Sequence, residues 1–162
     1  MIFLNNVARN LGRKRRKSGV ERPNWSVSPQ YKVLKDYSQD ELVNVLKEQC
    51  TKIHTDFELI DRAGLPEILK LTIEKYKGNS VVASNDERNE QYHLTDFYQK
   101  LQKNGHEVHL WNEKDGKGNQ IFAERADVGI SFSDITLAES GTVTLFIDKY
   151  HGRSISLCLK HI

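Results

Sequence analysis

Residues 126–145 read ADVGISFSDITLAESGTVTL, with Asp134, Glu139, Ser140, Gly141 and Thr142 set between two apolar runs. An acid, two hydroxyls and a glycine in one short segment are a combination that can do chemistry. Gly141 lets a backbone approach a ligand closely or take a positive φ. Ser140 and Thr142 supply hydroxyls, and successive N–H groups at such a turn can form a concavity for an anion. Glu139 is a candidate acid/base group, nucleophile or tether for a ligand hydroxyl. The competing reading is structural: a turn acid commonly bonds to neighbouring backbone N–H groups and holds the turn. Asp127 and Asp134 have the same alternative as caps.

Other polar groups are weaker candidates. Asp86-Glu87-Arg88 follows a short apolar run, and either a salt-bridged helix start or a ligand contact would suit it. His54, His93, His106 and His109 are scattered without metal-ligand spacing, so no metal site is expected. His151-Gly152-Arg153 reads as a solvated turn, with Arg153 a weak candidate for holding an anion. No Gly-rich dinucleotide motif, Walker A loop or Ser–His–Asp arrangement is readable.

The elements that must position these residues follow from periodicity. Ser38-Gln39-Asp40-Glu41 fits a capping box, and Leu42, Val43, Leu46, Cys50 and Ile53 form one apolar face behind it. Cys50 reads as core. Pro66 suits the first turn of a second helix carrying Leu65, Ile68, Leu69, Ile73 and Tyr76 on one face, with Gly78 as its stop. A third helix is expected between Glu90 and Asn104, with Leu94, Phe97, Tyr98 and Leu101 inward. Strands are expected at Ser80–Ala83, Glu107–Trp111, Ala126–Ser131, Thr142–Ile147 and Ser154–Leu159, the last two as an antiparallel hairpin. Asp115 to Asn119 reads as a turn cluster, and Asp134 to Glu139 as a helical turn with Ile135 and Leu137 or Ala138 packing down. Strands alternating with helices argue for an α/β fold with a mostly parallel sheet flanked by helices. In such sheets ligands bind beyond the carboxyl ends of strands.

Charge divides the chain into a basic N-terminal arm, residues 1–37, and a body, residues 38–162. The arm holds nine Lys or Arg against two Asp or Glu, and the body fifteen against twenty. Phe3, Leu4, Val7, Ala8 and Leu11 predict a helix at its start, and Arg13 to Lys17 concentrate its charge. A flexible or partner-docked arm is the reading; nucleic-acid or anionic-membrane binding is the sharper one, and neither aromatic interleaving nor a nucleic-acid motif supports it. Trp25 and Tyr31 would pack the arm on the body or on a partner. At 162 residues and 38% hydrophobic, the chain can form one domain with one core. No run of 18 apolar residues exists, and the start lacks the charge order of a signal peptide, so a cytoplasmic location is expected. Cys50 and Cys158 cannot alone build an iron–sulfur or metal site.

Two segments together carry a resemblance. Ala126-Asp127-Val128-Gly129-Ile130, followed by Ala138-Glu139-Ser140-Gly141-Thr142, is similar to the A-D-x-G-I strand and A-E-[ST]-G-T turn of the lactate utilization (LUD) domain family. Leu11-Gly12-Arg13, Val20-Glu21-Arg22-Pro23 with Trp25, Pro29-Gln30 and Asp40-Glu41-Leu42 resemble the members of that family engaged in L-lactate utilization. The resemblance implies a fold like that of the NagB/RpiA/CoA-transferase superfamily. It implies a role in oxidising L-lactate to pyruvate beside two iron–sulfur partners, lactate utilization proteins A and B. The clusters would sit in those partners, this chain would bind no cofactor itself, and the basic arm would dock one of them. The candidate ligand-binding set is then Asp127, Gly129, Asp134, Ser140, Gly141 and Thr142, with Glu139 as the candidate catalytic group. Two other functions stay open: a noncatalytic assembly or regulatory subunit, and an acyl- or CoA-handling enzyme using the Glu139 carboxylate. The family continues past the point where this chain ends at Cys158 to Ile162, so the resemblance implies C-terminal truncation, an exposed sheet edge and uncovered apolar surface.

Overall fold

In the computed structural model, residues 2–19, 21 and 24–157 are described. The chain divides into two compact units, residues 1–37 and 38–162. In the first, helix α1 spans Ile2–Asn10, and Pro29–Tyr31 forms a short 3-10 turn. Val20, Arg22 and Pro23 of the resemblance lie outside the described residues.

The second unit opens with α2, Gln39–Lys52. Its capping box is complete: the Glu41 N–H donates to Ser38 Oγ (3.3 Å), and the Ser38 N–H donates back to Glu41 Oε2 (2.7 Å). Helix α3, Leu65–Lys75, places Pro66 in its first turn and buries Ile73, while Tyr76 lies just beyond it and stays exposed. Strand β1, Ser80–Ala83, follows; the short helix α4 is Arg88–Gln91 and α5 is Leu94–Lys103. Strand β2 is Glu107–Leu110, α6 is Lys117–Arg125 and β3 is Val128–Ile130. Strands β4, Ile135–Leu137, and β5, Thr142–Thr144, form an antiparallel hairpin, and α7 is Ser154–Leu157.

The sheet is parallel in the order β2-β1-β3. Val82 is paired with His109 on one side and Gly129 on the other. A central strand covered on both faces needs an unbroken apolar run, and Val81, Val82 and Ala83 are all fully buried. Alternation then sends neighbours to opposite faces. Val81 and Ala83 pack with Ile73 of α3 and with Leu94, Phe97, Tyr98 and Leu101 of α5. Val82 packs with Ala123 of α6, Ala126 and Ile155 of α7. The result is an α/β layer structure, a parallel sheet between helices.

Three expectations are corrected. The turn expected at Asp115 to Asn119 holds only as far as Gly116, and Lys117, Gly118 and Asn119 begin α6, with Asn119 buried and bonding to the turn from inside the helix. Its Oδ1 accepts from the Asn112 N–H (3.2 Å), and its Nδ2 donates to Asn112 O (2.6 Å). Asp134 to Glu139 is a strand and turn instead of a helical turn, and Ile135 and Leu137 are half exposed, not packed down. The second strand of the hairpin is β5 paired to β4; Ser154–Leu157 is helical, with Ile155 as its buried anchor. Residues 158–159 of the expected last strand, and the rest of the Cys158 to Ile162 end, lie outside the described residues.

Candidate functional site

The loop after β1 leads to α5 on one face of the sheet, and the loop after β2 leads to α6 on the other. Strand ends whose connections part to opposite faces leave a crevice beyond their carboxyl ends. A cavity of about 770 Å³ lies there, lined among others by Asn85 and Asp86 after β1, Leu110 at the end of β2, Asp134 at the base of the hairpin, and Tyr150.

Arg88 organises this cleft. Its backbone N–H and Nε both donate to Asp86 Oδ1 at 2.8 Å, and Nη2 donates to Asp86 Oδ2 at 2.6 Å. Its Nη1 lies 3.1 Å from Asp134 Oδ1. The other Asp134 oxygen accepts the Phe146 N–H at 3.0 Å, and the Asp134 N–H donates to Thr144 O at 2.9 Å. One guanidinium thus ties the loop after β1 to the hairpin. The Phe132 ring lies 4.8 Å below it, and Tyr92 packs on that ring at 5.8 Å. The guanidinium's hydrogen bonds hold the Asp86 carboxyl below the usual carboxylate range, helped by the backbone N–H and the charge of Arg88. The Asp86 hydrogen bonds in turn raise the Arg88 pKa, with the Asp134 charge adding to the effect.

The floor is rigid. Asn89 is buried, its Nδ2 donating to Ser84 O at 2.8 Å and its Oδ1 accepting from Tyr98 Oη at 3.4 Å. Burial pushes the Tyr98 hydroxyl pKa up, which keeps it a neutral donor. The Asn85 N–H donates to Tyr150 O (3.0 Å), which seats the segment around His151 against the end of β1. His151 and Gly152 are buried, so the expected solvated turn is corrected: Gly152 lies so close to Trp111 that a side chain has no room. Arg153 is exposed. His151 Nε2 and Ser84 Oγ are buried without a hydrogen-bond partner among the described residues.

The cleft is carboxylate-rich. Asp86, Glu87, Glu90, Asp134 and Asp148 line it, and among the described residues Arg88 is the one cation there, which two of them already hold. Such a lining accepts hydrogen bonds from hydroxyl or amine groups and repels a free carboxylate.

The expected site residues fall in three places. Asp134 is in the cleft. Asp127 is at the other end of the sheet, where its Oδ2 accepts from the Asn79 N–H (3.0 Å), the Ser80 N–H (3.1 Å) and Ser80 Oγ (2.9 Å). Gly129 sits within β3, beside Val82. Glu139, Ser140, Gly141 and Thr142 form the tip of the β4–β5 hairpin. There Ser140 Oγ donates to Thr142 Oγ1 (2.8 Å) and Glu139 is exposed. Gly141 has φ +69°, and a Cβ on it would stand 2.7 Å from Ile53 Cδ1 at the end of α2. Turn conformation and close packing therefore both account for that glycine. Cys50 is buried as core. Among the described residues no group of three His, Cys, Asp or Glu is placed to hold a metal ion, and no helix is long and apolar enough to cross a membrane.

The LUD domain family matches residues 43–162, which takes in the sheet, the cleft and the hairpin. The chain belongs to the LUD domain family. Its relatives in that family include lactate utilization protein C of Oceanobacillus iheyensis, 55% identical over 98% of this chain and 67% of the relative. Lactate utilization protein C of Shouchella clausii is 52% identical over 96% of this chain and 66% of its own length. That of Bacillus subtilis is 47% identical over 96% and 65%. The chain thus spans about two thirds of the length of the LUD domain relatives it matches. No solved structure matches it.

Proposed function

We propose that this chain works in L-lactate utilization, in the cytoplasm, as the component that acts beside the iron–sulfur proteins lactate utilization proteins A and B. The observation that carries this reading is the 55% identity, over nearly the whole chain, to a lactate utilization protein C. The two cysteines of the sequence are too few to hold a cluster by themselves, so electron carriers belong to the partners. The cleft at the carboxyl ends of β1 and β2 is the ligand site. Its paired guanidinium and surplus of carboxylates fit a hydroxyl- or amine-bearing ligand better than free lactate.

The test is lactate-dependent dye reduction by the two iron–sulfur proteins in three mixtures: without this chain, with it, and with a longer relative. Restoration by this chain supports the reading. Restoration by the longer relative alone sinks it for this chain. A second reading, an assembly subunit without a catalytic role, is favoured by the exposed Ile135, Leu137 and Val143 of the hairpin. In that case the chain still co-purifies with the partners when Asp134 is replaced by Asn, and dye reduction is unchanged.

A further inference from the structure

The N-terminal unit carries a surface that the cleft does not use. Along α1, Ile2, Phe3 and Leu4 are 77%, 75% and 51% exposed, and Leu11 just beyond it is 62% exposed. Phe3, Leu4, Val7 and Leu11 recur at helical spacing, so they form one apolar stripe. Trp25, Val27 and Tyr31 in the same unit are each more than 70% exposed. By the same spacing Arg9 lies on the opposite face of α1, the unbroken run Arg13, Lys14, Arg15, Arg16 and Lys17 follows the stripe in sequence, and residues 1–20 hold no acid at all. Arg9 and Arg15 meet only neutral amides in the hydrogen bonds seen for them, from Arg9 Nη2 to Asn6 Oδ1 and from Arg15 Nη1 to Asn5 Oδ1, both 3.3 Å.

We propose that this unit is a peripheral membrane-binding element that lies on an anionic lipid surface. The juxtaposition behind it is an exposed apolar helix stripe, an acid-free block of cations and an exposed tryptophan within one 37-residue unit. Charge complementarity selects the occupant. Anionic headgroups offer dense negative charge without fixed spacing, which suits a run of consecutive cations, and the apolar layer beneath them takes the stripe. Trp25 and Tyr31 have the amphipathic rings that favour the headgroup level. A nucleic acid would satisfy the cations and leave Phe3, Leu4 and Leu11 in water. The helix has nine residues, about 14 Å, so it lies in the interface and does not span.

The experiment is co-sedimentation of the full chain with vesicles of phosphatidylcholine alone or mixed equally with phosphatidylglycerol. The chain is expected to sediment with the mixed vesicles and stay in solution with the neutral ones. Raising salt from about 0.1 M to 0.5 M should cut the bound fraction roughly fivefold, because screening weakens the headgroup contacts. Replacing Arg13, Lys14, Arg15, Arg16 and Lys17 by Gln should abolish binding. Phe3→Asp should weaken it severalfold with charge otherwise nearly kept. Failure of the wild-type chain to bind mixed vesicles overturns the proposal, whatever the variants do. Binding unaffected by Phe3→Asp, with equal retention on polyuridylate, overturns it in favour of a nucleic-acid site.

Discussion

Arg88 Nη1 and Asp134 Oδ1 lie 3.1 Å apart, joining the loop after β1 to the base of the β4–β5 hairpin. The same guanidinium makes a two-point contact with Asp86. The three side chains are between 18% and 28% exposed, so the pairing is screened less than a surface salt bridge. Arg88→Leu leaves two carboxylates facing each other without a cation. The expected cost is about 1–3 kcal/mol of folding stability, read as a lower urea midpoint. Adding Asp86→Asn to that variant should recover part of the loss. A midpoint unchanged in Arg88→Leu would show that the pairing contributes nothing.

Acid should reveal the same contact. The Arg88 hydrogen bonds hold the Asp86 carboxyl below its ordinary 3.8. A group with a depressed folded-state pKa contributes stability above its unfolded pKa and loses it as pH falls through the folded one. Wild-type melting temperature should therefore drop faster than that of Asp86→Asn as pH falls through the unfolded value of 3.8 and below it, and the gap between them should narrow toward the acid end. A gap that stays constant from neutral pH to pH 3 would assign the stabilisation to something other than this ionisation.

What the sequence made legible was local. Ser38 and Glu41 announce the α2 start because a capping box is a four-residue pattern, and Ser80 to Ala83 announce a buried strand by composition. Leu94, Phe97, Tyr98 and Leu101 announce the inward face of α5 by spacing. Helix α6 escaped because Gly116, Gly118 and Asn119 carry turn propensity, and the tertiary bonds of Asn119 override it. The ADVGI…AESGT pattern marks a contiguous stretch, yet the fold spreads it over a sheet brace, a cleft and a hairpin tip. Pairing of Asp134 with Arg88 is long-range, and no periodicity encodes it. The loop acid-acid-base triplet Asp86-Glu87-Arg88, placed after a strand, was the available signal for the cleft.

Gly152 should tolerate no side chain. A Cβ there would stand 1.9 Å from Trp111 Cζ2 and 2.0 Å from Cη2, and the indole packs against the Val82, Ala123 and Ile155 cluster. A rigid, half-buried ring packed on that cluster cannot step aside cheaply, so Gly152→Ala should cost about 1–3 kcal/mol. Tryptophan emission should shift as Trp111 is displaced. Emission and stability both equal to wild type would mean that the segment sits farther from the ring.

Asp127 is expected to matter for folding and not for the cleft. Its Oδ2 accepts three hydrogen bonds from Asn79 and Ser80, and Ser80 Oγ accepts the Asp127 N–H at 3.0 Å, so it staples the starts of β1 and β3. Asp127→Ala strands these donors, at about 2 kcal/mol. The cleft lies at the opposite ends of the strands, about 10 Å away along β1 at 3.3 Å per residue. Activity per folded molecule in the dye assay should hold. A loss of activity with normal stability would return Asp127 to the ligand-binding set.

Asp134 and Glu139 separate the two candidate sites by experiment. Both belong to one hairpin, but Ile135 pairs with Thr144 near its base and Leu137 with Thr142 near its tip. Asp134 at the base faces the cleft and orients Arg88, while Glu139 at the tip is exposed beside the turn that packs on Ile53. Asp134→Asn keeps the shape and the bond from the Phe146 N–H but removes the charge opposite Arg88. If the cleft serves the reaction, lactate-dependent dye reduction with the partner proteins should fall about tenfold in Asp134→Asn and stay within about twofold in Glu139→Gln. The stability of each variant, measured alongside, separates a damaged site from a damaged fold. The reverse order of effects would move the functional site from the carboxyl-end cleft to the hairpin turn, and would revive the Glu139 carboxylate as its reacting group.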